Sequence, residues 1–159
     1  MKNTALGYGA MGLIPFVSIG MFFPLWPDSI QAGLIHLFFS YSVVILAFMA
    51  GAVWGSSINK AQSDQTPLSL TVAIVFSLVA FSVSVMPLSF SLVVLGCAFV
   101  VLFSIELFIV ARKVYPFWYT LMRAALTSVV FICHGTLWFW LDRAEPSVFA
   151  SAPSWGLGG

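Results

Sequence analysis

From Leu88 to Ala111 the chain carries a single charged side chain, Glu106, in an otherwise apolar run. Such a run constrains the fold more than any motif does. About twenty apolar residues wound as a helix cross the roughly 30 Å hydrocarbon core of a bilayer. The pattern recurs over residues 5–23, 31–58, 68–86 and 117–141. Hydrophobic residues make up 61% of the chain and charged residues 7%, with a mean hydropathy of +1.07. A soluble domain needs about a quarter of its residues charged to clothe its surface. The expected class is therefore all-α: a polytopic membrane protein of five transmembrane helices in one domain, residues 1–141. Period-two alternation is absent, which disfavours a β-barrel. Residues 142–159, rich in Ala, Ser, Pro and Gly, are expected to form a flexible polar tail.

Charge distribution sets the expected orientation. Five crossings put Lys2, Lys60, Arg112 and Lys113 on one side, with Arg123 nearby, and leave Arg143 on the other. The positive-inside bias then places the N-terminus in the cytoplasm and the C-terminus outside. The first apolar segment is too long for a signal-peptide core and no small-x-small cleavage site follows it, so it reads as an uncleaved helix. No Arg- and Ser-rich transit peptide precedes it, which favours a bacterial inner membrane. The net charge of +1 includes no basic cluster, so no nucleic-acid partner is expected. Cys97 and Cys133 lie in apolar runs and read as small buried hydrophobes.

Helix-packing residues form the next layer. In the second helix Ala47, Gly51 and Gly55 form a small-residue row in GxxxG spacing that lets a neighbouring backbone approach. On the third helix Ala73, Ser77, Ala80 and Ser84 share a face. Pro15 removes one backbone N–H in the middle of the first helix and is expected to kink it. Pro87 marks a short turn between the third and fourth helices.

Intramembrane polar groups are costly and are read first as functional candidates. His36, Glu106, Arg123 and His134 are the ionisable ones, joined by Trp54 and Thr127. Helix rise places Glu106 about 7 Å and Arg123 about 9 Å in from the same side, so an ion pair between them is expected. Thr120, Arg123, Thr127 and His134 share one sector of the fifth helix; His36, Ser40, Ala47, Gly51 and Trp54 share one of the second. These faces are expected to meet, with Trp54 over Arg123 in a cation–π contact and His36 level with His134. Two facing histidines also admit a haem or metal reading, although no supporting ligand set accompanies them and neither a cofactor nor a metal is expected. No GxSxG, HExxH or paired-aspartate motif points to catalysis.

Three segments carry a family resemblance. They are Gly9-Ala10-Met11-Gly12-Leu13-Ile14-Pro15-Phe16, the stretch from Tyr41 to Trp54-Gly55, and Phe117-Trp118-Tyr119-Thr120-Leu121-Met122-Arg123-Ala124-Ala125-Leu126-Thr127. Together they resemble an uncharacterised bacterial membrane family that includes the mitochondrial transmembrane protein 69. The resemblance implies a five-helix inner-membrane protein with no established activity. In that family a basic or histidine side chain usually precedes the tryptophan of the second helix; here the position is Val53. The leading functional expectation is a non-enzymatic accessory, assembly or scaffold factor acting through helix packing. Its partners would be the lipid bilayer and either a membrane protein or further copies of itself. The alternatives are a small transporter or channel subunit built on Glu106 and Arg123, and a redox or metal-binding protein built on the two histidines.

Overall fold

A computed structural model describes residues 2–58, 66–108 and 116–143. They form five helices: α1 (Lys2–Gly20), α2 (Asp28–Ile58), α3 (Thr66–Ser82), α4 (Leu88–Glu106) and α5 (Phe117–Arg143). No strand occurs among the described residues. Lys60, Asp64, Arg112 and Lys113, and the tail from residue 144 onward, lie outside them. Asp142 and Arg143, expected in the tail, instead close the last turn of α5, where the Arg143 guanidinium lies 4.0 Å from the centre of the Phe139 ring.

Four helical segments are long and apolar enough to cross a bilayer: Asp28–Gly55, Pro67–Val85, Leu88–Glu106 and Phe117–Arg143. The apolar part of α1, Leu6–Gly20, is shorter; at 1.5 Å per residue it reaches about 22 Å. The helices expose large apolar side chains, among them Val44, Phe48, Phe81, Val85 and Phe90. Water would not tolerate such a surface, whereas lipid tails match it. By length and composition this is an α-helical membrane protein.

The two connections among the described residues, α1 to α2 and α3 to α4, are held by polar groups that would otherwise be left unpaired in lipid. Between α1 and α2, a 3-10 turn over Phe23–Leu25 leads to Trp26, whose indole Nε1–H donates to the Ser18 carbonyl at 3.0 Å. Gln31 donates in turn to the Trp26 carbonyl at 2.9 Å. Between α3 and α4, a second 3-10 turn over Val83–Val85 precedes Met86 and Pro87. Buried Ser91 donates back to the Val83 carbonyl at 2.8 Å and fastens α4 to that turn. Beyond the turn α3 packs chiefly on α2, and α4 on α5.

The tightest helix pairs are α2 with α3, α4 with α5 and α1 with α5. Two glycines explain the last two. A Cβ at Gly20 would fall 2.7 Å from Cys133 Cβ and 2.9 Å from the Cys133 carbonyl oxygen. The α1 and α5 backbones therefore touch there, and the Thr136 hydroxyl donates to the Gly20 carbonyl at 3.0 Å. A Cβ at Gly96 would fall 3.2 Å from His134 Cβ, which marks the close approach of α4 to α5. α1 continues as a helix through Pro15, and near it Tyr41 of α2 donates to the Gly12 carbonyl at 3.0 Å.

The small-residue row of α2 does not form an internal seam. Gly51 and Gly55 are exposed, and a Cβ at either meets nothing among the described residues. Leu46, Ala50 and Val53 supply the buried face instead. Because α2 is apolar all round, its composition does not say which face turns inward. On α3, Ala80 is buried, whereas Ser77 is exposed and donates its hydroxyl to the Ala73 carbonyl at 2.9 Å. Cys133 is buried; Cys97 faces outward on α4.

Candidate functional site

Arg123 lies on the face of α5 that also buries Thr127, Val130 and His134. On α4 the buried face ends at Glu106. Where these faces meet, Arg123 Nη2 donates to Glu106 Oε2, and the two side chains are only 7% and 5% exposed. So little exposure makes this a buried ion pair rather than a surface one, and each charge depends on the other to be tolerated there. The second guanidinium nitrogen, Nη1, donates to the Met49 thioether of α2 at 2.8 Å. Arg123 Nε, also buried, has no partner among the described residues.

Trp54 does not cover Arg123. It is 40% exposed, on the opposite side of α2 from Met49, which takes the place expected of the indole. Five residues separate the two, so they diverge by about 140° around the helix. α2 and α5 are not a closely packed pair. Between them, closed off by α1 and by Phe99 of α4, lies a cleft of about 380 Å³. α2 lines it with Ile45, Phe48, Met49 and Ala52, not with the Ala47–Gly55 row. Arg123 and Thr127 stand in the α5 wall.

The two histidines are not brought together. His134 is buried among the rings of Phe16, Phe38 and Phe99, with centroids 5.8, 4.8 and 5.7 Å away. Its Nδ1 bonds the Val130 carbonyl at 2.8 Å, and Nε2 has no partner among the described residues. His36 is exposed. It precedes buried Phe38 by two residues, or about 200° of helix rotation, so one of the two must face away when the other packs inward. Among the described residues no group of three or more His, Cys, Asp or Glu side chains is placed to hold a metal. His134 therefore sits in an aromatic cage from α1, α2 and α4, and a haem or metal clamp through both histidines does not fit this arrangement.

The family comparison covers both halves of this constellation. A family model described as a protein of unknown function, DUF3429, matches residues 1–139. The chain belongs to that family. No curated protein and no solved structure matches it significantly. In this DUF3429 chain the matched span contains the whole of α1 to α4, the ion pair, the cleft and the histidine cage.

Three features of the DUF3429 chain escape a reading of the sequence. Met49 is one apolar residue among many, and only its contact with Arg123 distinguishes it. Gly20 and Gly96 look like any other helix glycines until the neighbouring backbone shows what a side chain would strike. The cleft lies where α2 and α5 are not closely packed, and nothing in helix periodicity encodes that. One signal was present in the sequence: Tyr8, Tyr119 and Arg123 cluster near the N-terminal ends of α1 and α5, and all three border the cleft.

Proposed function

We infer that the protein is a non-enzymatic accessory or assembly factor of a membrane, working by presenting the outer face of α2 to another transmembrane helix. The observation that carries this is the open row at Gly51 and Gly55, where added side chains would meet nothing within the described chain. Between helices in lipid the attraction comes from close packing and interhelical hydrogen bonds, so a bare GxxxG row facing outward offers unspent contact. Half-exposed Trp54 flanks the row and supplies a large ring for the same contact.

The arrangement that accompanies this reading is five crossings with the N-terminus in the cytoplasm of a bacterial inner membrane. Its support is the bias that five crossings would give, gathering Lys2, Lys60, Arg112 and Lys113 on the N-terminal side, together with α1 lying beside α5 and running parallel to it. A reporter fused to the C-terminus and active only in the cytoplasm would overturn the orientation. A transport reading draws on Arg123 at the cleft wall, yet its guanidinium is tied to Glu106 and Met49, and the accessory reading needs no route through the bundle.

The test is substitution of Gly51 and Gly55 together by Leu. The intact chain has room for both side chains, so folding in detergent should be unchanged while association is lost. Association is read as co-purification of a membrane partner or as a dimer in analytical ultracentrifugation. An unmodified protein that is monomeric and partner-free in mild detergent and in bilayers would end the reading.

A further inference from the structure

We propose that the cleft between α1, α2 and α5 is a binding site for an apolar chain that carries a neutral carbonyl group. The cleft has about 380 Å³ of space, within the range of small-molecule sites. It is also polarised along its length. α1 and α5 run parallel, since Gly9 lies against Met122 and Leu126 while Gly20 lies against Cys133. Tyr8, Tyr119 and Arg123 therefore gather at one end, and the other end is walled by Phe16, Phe99 and Val130. From Tyr119 to Val130 the α5 wall extends about 16 Å, close to one leaflet of a hydrocarbon core of about 30 Å. An amphiphile drawn from one leaflet fits that depth and that direction.

The polar groups specify the head. Arg123 and Glu106 neutralise one another, so the wall offers no net charge to an anion. It does offer hydrogen-bond donors. Arg123 Nη1 is spent on a thioether, a weak acceptor, and a carbonyl oxygen is a better one. The Thr127 hydroxyl, one turn deeper in the same wall, is a second donor bordering the cleft. An oxygen that accepts from both, on a chain that fills the apolar end, matches the ester carbonyl of a glycerolipid or the ring carbonyl of an isoprenoid quinone.

The test uses the full-length protein in phosphatidylcholine nanodiscs. Three photoreactive probes are compared: a phosphatidylcholine with a diazirine tail and ester linkages, its dialkyl-ether counterpart, and an azido-quinone. Labelled peptides are mapped by mass spectrometry. An ester or quinone probe should label the cleft residues Leu13, Phe16, Ile45 or Val130 several-fold more than the ether probe does. Which of the two carbonyl probes labels identifies the source. Thr127→Val should remove the preference over ether, roughly a three- to tenfold effect for one hydrogen bond. Ala52→Phe should displace all labelling from the cleft, with thermal stability of both variants checked in parallel. Equal labelling by ester, quinone and ether probes, or labelling spread over outward residues such as Phe81 and Val85, would overturn the proposal. Retention of the carbonyl preference in Thr127→Val would do so as well.

Discussion

Removing either member of the Glu106–Arg123 pair should destabilise the bundle far more than removing both. Each side chain is at least nine-tenths buried, and Arg123 Nη2 donates directly to the Glu106 carboxylate. At a charge-assisted separation of about 2.8 Å and an effective dielectric of about 20, the attraction is about 6 kcal/mol. The desolvation penalty is several kcal/mol for each ion, so the intact pair comes out near balance. An orphaned partner retains the penalty without the attraction. Arg123→Met and Glu106→Leu should therefore each cost about 3–5 kcal/mol, and the double variant should return to within about 1–2 kcal/mol of the parent. The assay is a double-mutant cycle on unfolding midpoints in mixed lipid–detergent micelles. Raised salt should leave the coupling nearly intact, because buried charges are poorly screened. If the two single losses simply add in the double variant, each charge reaches the interface by itself and the pair is incidental.

Three further substitutions probe the helix contacts. Gly20→Ala places a methyl group 2.7 Å from Cys133 Cβ and 2.9 Å from its carbonyl, so α1 must move off α5; the unfolding midpoint should fall by the equivalent of about 1–3 kcal/mol, while Gly51→Ala, with open space around it, should change stability by less than about 0.5 kcal/mol. His134→Phe gives up a bond to the residue's own helix at Val130 but removes a buried nitrogen with no partner and leaves a ring among Phe16, Phe38 and Phe99; stability should stay within about 1 kcal/mol of the parent, and a loss above about 2 kcal/mol would mean that Nε2 is bonded in the membrane.

The parts of this fold that the sequence makes legible are those where the chain departs from uniform apolarity. Glu106 and Arg123 stand out because charges are scarce, and helix rise alone puts them at matching depth. Pro87 announces a turn, and Ser91 close behind it supplies the bond that secures it. Rotation about the helix axis is not legible in the same way. Along α2 the Ala47–Gly51–Gly55 row and the Ile45–Met49–Ala52 row are both compatible with burial in protein and with contact to lipid. A soluble helix would betray its inner face by a polar outer one, but lipid removes that signal. For the same reason His36 and His134 looked equivalent, although one faces outward and the other is caged.

Register between helices in lipid has to come from specific contacts, because no hydrophobic drive pulls one apolar helix onto another. The α4–α5 pair shows how few contacts suffice. Gly96 meets His134 at one level, and Glu106 meets Arg123 at another. The ten residues from Gly96 to Glu106 rise about 15 Å and the eleven from Arg123 to His134 about 16 Å, so both contacts close together when the helices run antiparallel. α1 is added to this pair through Gly20 and Thr136, again a backbone contact sealed by one hydrogen bond. α2 shares no such glycine contact or ion pair with α5 among the described residues; it meets α5 through the Phe38 ring against His134 and through the soft link between Met49 and Arg123. The cleft opens beside these contacts, where neither a glycine nor a strong polar pair draws α2 onto α5 among the described residues. It therefore follows from where the register-setting residues stand: the same arginine that locks α4 to α5 also stands in the wall of the cleft.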